Sequence, residues 1–307
     1  MKKRAFTMIE IIMVLVLFGI IAGIGAEIIS KMYKNYIQSR TINYLQSQSN
    51  IAVEQIAKRL QYRIKDTTIA RISGAGGDIK TLNDPAVNTN YNVIEWIGYS
   101  NEAMLGNTPG WSGFIDLESA TTSKTPGTLD TPGSNLNDVT TITTALNNDT
   151  AVGTFALIFK QRPAGFYDPN AQNGYGWRNA GATDIDYLVP VKIGGATQFN
   201  IAITGRPADV YEQYYLAHTA YAIHRVANTD DGSNANDNFA LALSYNYRPW
   251  IADETYDAAS TAIIAEHVNL FRIKQVGSTI RIKLCLHDNG KSGAAQNLVA
   301  CKEEVIF

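Results

Sequence analysis

The sequence predicts an α+β protein: one long N-terminal helix, apolar in its first part and amphipathic in its second, packed on an antiparallel β-sheet. Three observations predict it. Sixteen residues from Ile11 to Ala26 carry no charge, and the run reaches back to Phe6 with Glu10 as its only interruption, about the ~20 residues that a helical bilayer crossing needs. Apolar positions then continue at spacings of three and four through Ile42, Leu45, Ala52, Ile56 and Leu60, with Ser49 filling the gap, which is the stripe of an amphipathic helix. Beyond residue 150 the chain breaks into short segments rich in β-branched and aromatic side chains, with turn residues between several of them. With 307 residues, 45% hydrophobic and 18% charged, the chain is long enough to bury a sizeable core.

Taken in order, residues 1–5 are a short basic leader and residues 6–27 a transmembrane helix segment. Lys2, Lys3 and Arg4 hold the N-terminus in the cytoplasm by the positive-inside bias, and no comparable apolar run follows, so the rest of the chain is expected outside. Residues 28–71 are the amphipathic stem. Neither Pro nor Gly occurs from Glu27 to Ile72, so one helix is expected from about Phe6 to Ala70, roughly 100 Å at ~1.5 Å per residue, ended by ISGAGGD from Ile72.

Residues 72–150 form a variable, loop-rich region. TPG occurs at Thr108, Thr125 and Thr131, a turn signal each time, and the stretch from Ser119 to Thr150 has few large apolar residues and reads as an exposed loop. YNVIEWIGY and PGWSGFIDL are dense in aromatics and belong to the core. Sugar binding by Trp96 or Trp111 is the functional alternative to that packing.

Residues 151–307 are the antiparallel sheet domain. FALIFKQ, DYLVPVKI, TQFNIAIT, AYAIHRVA, NFALALSYNY, HVNLFRIKQ and TIRIKLCLH are its strands, and Gly194–Gly195 and Gly277–Ser278 sit at two-residue hairpin spacing. In the last hairpin Ile280, Ile282, Leu284 and Leu286 fall on one face, which puts Arg281, Lys283, Cys285 and His287 on the outward one. The two cysteines, Cys285 and Cys301, lie near each other in sequence. Outside the cytoplasm a disulfide suits them, closing a C-terminal loop with a contribution on the order of 3 kcal/mol. Two free thiols remain open, and so does a metal site, which would want four ligands and finds only His287 close by.

Charge divides the chain. Residues 1–70 hold ten basic and four acidic side chains, and residues 71–307 the remaining sixteen and twenty-four, a basic stem and an acidic head. The stem suits anionic headgroups, or simply a solvated face, whereas the acidic head argues against a general nucleic-acid groove. NTDDGSNANDN, with Asp230, Asp231 and Asp237, offers the oxygen ligands calcium prefers but matches no full calcium-loop pattern, so an acidic turn is the plainer reading. His218, His224, His267 and His287 lie on expected strands with no nucleophile motif near them. No G-x-S-x-G, H-E-x-x-H or P-loop occurs, so neither an enzyme nor a cofactor is expected.

Glu10 is the anomaly, a carboxylate inside an apolar run. The stretch K-K-R-A-F-T-M-I-E resembles the class III signal of the type IV pilin and pseudopilin family, and NIAVEQIAKRLQYRIKDTTIA resembles the stem of large minor pilins and of J-type minor pseudopilins. The resemblance implies a pilin-like fold, cleavage between Ala5 and Phe6 by a prepilin peptidase, methylation of the new amine, and an assembly role for Glu10 through the amine of a neighbouring subunit. It also implies a single-pass protein of the bacterial inner membrane with its C-terminal domain in the periplasm. Its partners would be other pilin or pseudopilin subunits and the inner-membrane assembly platform, in a type II secretion pseudopilus or a type IV pilus, with nucleic acid entering only in a DNA-uptake system. The size of the head points to a minor subunit, at the tip or in initiation. Ala5 stands where the family usually has Gly, and Glu27 where a Pro is common. Gly19 and Gly23 add a G-x-x-x-G helix-packing signal. The alternative is a membrane-anchored extracytoplasmic binding protein that never assembles.

Overall fold

The computed structural model describes residues 7–74, 77–105, 108–123, 127–159, 174–178, 185–202, 210–290 and 298–307. Ala5 and Phe6 lie outside the described residues.

Helix α1 runs unbroken from Met8 to Gln61, about 80 Å at ~1.5 Å per residue. Gly19, Gly23 and Gly25 do not interrupt it, and Glu27 continues it with a Lys31 ion pair at 2.7 Å. The helix ends about two turns short of Ile69, which with Ala70 and Arg71 forms strand β1 rather than more helix. The expected end at the glycine-rich segment is therefore corrected, and the reason is tertiary. Ile64 donates its N–H to Ile97 O at 2.9 Å, and Thr67 Oγ1 both donates to Ile64 O and accepts from Ile97 N–H, so strand β3 (Val93–Gly98) captures the chain before a glycine is reached.

Strands β2 (Ile79–Thr81), β4 (Thr128–Asp130), β5 (Phe155–Phe159), β6 (Val189–Gly195), β7 (Gln198–Ile201), β8 (Tyr214–Ala217), β9 (Thr219–Val226), β10 (Phe239–Tyr247), β11 (Ser260–Val276), β12 (Thr279–His287) and β13 (Val299–Ile306) complete two antiparallel sheets, not one. The larger has the order β13-β12-β11-β10-β9-β3-β1-β2, the smaller β4-β7-β6-β5-β8. They meet where β8 passes into β9 through His218.

Leu45, Ser49, Ala52, Val53, Ile56 and Leu60 form the buried stripe of α1, laid on Ile280, Ile282, Leu284, Leu286 and Ile306 of β12 and β13. Each fully buried Leu or Ile there contributes roughly 1.5–3 kcal/mol. Ile42, expected in the stripe, lies at its exposed margin. Arg63 then ties the helix end to the sheet, donating to Leu60 O and to Ser278 O, both at 2.8 Å. Ser278 belongs to the Gly277–Ser278 turn, where Gly277 takes φ +60° as a two-residue hairpin turn requires.

Within the stretch 119–150, residues 127–146 are not the exposed loop their composition predicts. They hold β4 and helix α2 (Leu136–Leu146), and Leu129, Leu136, Val139 and Thr143 are buried against Trp111, Ile115 and Phe199. A few well-spaced apolar residues suffice because the rest of α2 faces solvent. The turn between β6 and β7 falls on Ala196 and Thr197, since Gly195 already pairs with Gln198, so Gly194–Gly195 are strand residues. Trp96 and Trp111 are fully packed, and Trp111 donates its indole N–H to Ser100 O at 2.7 Å.

Candidate functional site

The exposed apolar half of α1 is the first candidate. Every residue from Thr7 to Tyr36 is exposed except half-buried Gly25, and a Cβ added at Gly19 or Gly23 would meet nothing within 4 Å. This is the one helix among the described residues long and apolar enough to cross a membrane. Its surface is left for lipid or for another helix. At its start Glu10 folds back on its own chain: its Oε2 accepts the Thr7 N–H at 3.0 Å and the Thr7 hydroxyl at 2.9 Å, in a capping-box arrangement. The carboxylate therefore satisfies orphan groups at the helix N-terminus, where the helix dipole also favours a negative charge.

At the other end of the chain the structure joins Cys285 to Cys301, directly opposite each other on β12 and β13. The bridge clamps the edge strand of the larger sheet. Cys285 and His287 project from the sheet face opposite α1, as alternation predicts, yet both are buried, because the bridge covers one and a polar cluster the other.

That cluster is the acidic turn of the sequence, closed over the sheet. Asp230, Asp231 and His267 bring their ligand atoms within 4.8 Å of one another, while Asp237 is not part of the group. Asp231 accepts from the Ser233 N–H, from Asn238 Nδ2 and from Asn289 Nδ2, and these bonds lower its carboxyl to about 2. His267, on a bulge of β11 with φ +52°, reaches Asp230 Oδ2 at 3.0 Å, and His287 contacts Asn238 Oδ1 at 3.2 Å. Burial, with His267 alongside, lowers the His287 imidazole. The donors that could hold a cation thus hold one another.

Two further features were not read from sequence. Glu95, deep in β3, accepts from Arg71 and from the Tyr247 hydroxyl at 3.0 Å, and Arg71 also donates to Trp177 O. Burial raises the Glu95 carboxyl and Arg71 opposes it. The aromatic density of YNVIEWIGY marked its segment for the core, but nothing in that segment pointed to Glu95 or to its partner on β1. A groove of about 470 Å³ also runs between α1 and β13, lined by Glu54, Ala57, Lys58, Gln61 and residues 304–307.

Residues 1–26 match the family model described as the prokaryotic N-terminal methylation motif. No curated protein and no solved structure matches the chain.

Proposed function

We propose that this chain, whose N-terminal methylation motif supports membership of the type IV pilin and pseudopilin family, is a structural filament subunit that assembles through α1. The methylation motif carries the reading, and it implies processing by a prepilin peptidase and assembly with other subunits. The fully exposed apolar half of α1 supports it, because such a helix anchors the chain in a membrane and then needs other helices once it leaves. The family is structural rather than enzymatic. In finer terms we read the chain as a minor pseudopilin or pilin, at the tip or in initiation of a periplasmic filament. Cleavage falls between Ala5 and Phe6, the segment 6–27 spans the inner membrane once, and the head lies in the periplasm with the assembly platform below it.

Glu10 serves assembly in this reading. The capping box holds the carboxylate in the free chain, and the methylated amine of a neighbour takes it over as helices stack, which compensates a charge in hydrocarbon. The same capping box favours a second reading, a tethered binding protein in which Glu10 only starts the helix.

Intact mass tests processing. The chain from cells with the peptidase should be lighter by its five-residue leader and heavier by one methyl group than the chain from cells without it; an intact Met1 terminus in both refutes the proposal. Glu10→Gln separates the two readings, since Gln still accepts from Thr7 but carries no charge. Loss of co-purifying pilin subunits with unchanged membrane insertion supports assembly, and unchanged recovery supports the tether.

A further inference from the structure

Two imidazoles stand 5.7 Å apart, centroid to centroid, where the end of β12 meets the turn between β9 and β10, and their hydrogen bonds ask for opposite protonation states. Asn238 orients both rings. Its Nδ2 donates to Asp231 Oδ2 at 3.0 Å, and a carboxylate only accepts, so its Oδ1 is the atom that faces the rings. That oxygen accepts from Asn228 Nδ2 at 2.7 Å, from His267 Nδ1 at 3.2 Å and from His287 Nε2 at 3.2 Å. The second nitrogen of His267 meets another acceptor, Asp230 Oδ2, at 3.0 Å, so only the doubly protonated ring donates to both. The second nitrogen of His287 meets a donor instead. Its Nδ1 accepts the Asn289 N–H at 3.1 Å, so only the neutral ring with its proton on Nε2 fits.

Neutral His287 thereby joins segments that lie 49 residues apart in sequence. Asn289 adds a second tie, donating through Nδ2 to Asp231 Oδ2 at 2.9 Å, and Glu266 Oε1 accepts the Thr229 N–H at 3.1 Å. The His287 ring is 4% exposed, which leaves a cation there little water. The charged groups on the elements packed against it are Glu266 and His267 on β11, Asp230, Asp231 and Asp237 in the turn, and Asp288 next in the chain. Arg225 holds the far side of the turn through Asn236 Oδ1 and Ala235 O, and β13 sets uncharged Val299 opposite His287. Burial first, and His267 second, push the His287 imidazole down, against the carboxylates of Asp288, Asp237 and Asp231.

We propose that His287 is an acid-operated latch: a proton taken from solvent by its Nδ1 displaces the Asn289 N–H, and the turn 228–238 separates from residues 288–290 while the sheets stay folded. The added proton occupies the lone pair that accepted from Asn289, so two N–H groups face each other and two imidazoliums stand side by side. Asn289 then gives up its bond to Asp231, and the turn keeps only the ties made from β9, β11 and within itself. The Cys285–Cys301 bridge and the buried stripe of α1 lie outside this chain of bonds, which confines the opening to the turns. The head thus has a closed end at neutral pH and a loosened, acidic one in mild acid. The inference goes beyond filament assembly and does not rest on it.

Hydrogen exchange of the full chain in detergent, read as protection factors so that the intrinsic pH dependence cancels, tests it. Folded His287 titrates below its unfolded value, so the closed latch is fully stable above pH ~6.5 and loses stability as pH falls from there. Between about pH 7 and about pH 5, protection in 228–238 and 288–290 should fall about threefold or more relative to residues 280–286 of β12. His287→Gln offers one acceptor and one donor with no proton to gain, and should remove this pH response. His287→Phe offers neither, and should leave both segments open at about pH 7. A fall as large in 280–286 as in the turns, a pH response that survives in His287→Gln, full protection of the turns in His287→Phe, or a loss confined to one of the two segments would each overturn the proposal.

Discussion

The two halves of α1 share one hydrogen-bond ladder and are sustained by different things. From Met8 to Tyr36 the helix touches almost nothing, and its apolar surface faces outward all round. From Leu45 to Leu60 one stripe is buried on β12 and β13 while Glu54 and Lys58 stay in solvent, paired at 3.0 Å. A helix in water owes most of its stability to a packed face, so the second half is held by this chain and the first by whatever surrounds it. The lesson is that secondary structure is continuous where its cause is not.

The largest effect should come from breaking the packed half. Leu60→Ala removes a fully buried side chain between α1 and the larger sheet, and the head should lose roughly 2–5 kcal/mol in urea unfolding. A loss below about 0.5 kcal/mol would mean that the stem contributes little to the head.

Acid should act next, at the junction between the sheets. His218 is buried, its Nδ1 has no hydrogen-bond partner among the described residues, and burial lowers it to about 4. Its folded pKa lies below the unfolded value, so the stability it contributes is fully present above pH ~6.5 and is lost as pH falls towards 4, by roughly 3 kcal/mol. Glu95 titrates with the opposite sign, because protonation relieves its buried charge. The measurement is therefore the difference from His218→Gln, whose stability should fall less between pH 7 and pH 4; parallel losses would remove His218 as the cause.

A smaller effect sharpens where the two regimes of α1 end. Arg63→Met leaves Leu60 O and Ser278 O without their charged donor, at a cost of about 2 kcal/mol, and hydrogen exchange should rise in the last turn of α1 and in the 277–278 turn. Exchange confined to only one of the two would show that Arg63 does not couple them. The smallest effect belongs to the bare half: Leu17→Ala should change urea unfolding of the head by less than about 0.5 kcal/mol, since its side chain touches nothing in the head. A larger change would mean that the two halves are mechanically linked.

Much of this protein is local, and what is local was legible. The uncharged run to Ala26, the stripe from Leu45 to Leu60, the Gly277–Ser278 hairpin and most strands of the second half follow from periodicity and turn chemistry, which neighbouring residues determine between them. Glu10 stood out for the same reason, as one charge against a uniform background. The tertiary structure alone decided where α1 stops, because Thr67 and Ile97, thirty residues apart, compete for the backbone that a helix would have used. It decided that the strands divide between two sheets, that sparse residues 127–146 fold against Trp111, and that Asp230 meets His267. Strand partners, ion pairs and shared cores join residues far apart in the chain, and the pattern of one segment carries no record of which other segment will cover it.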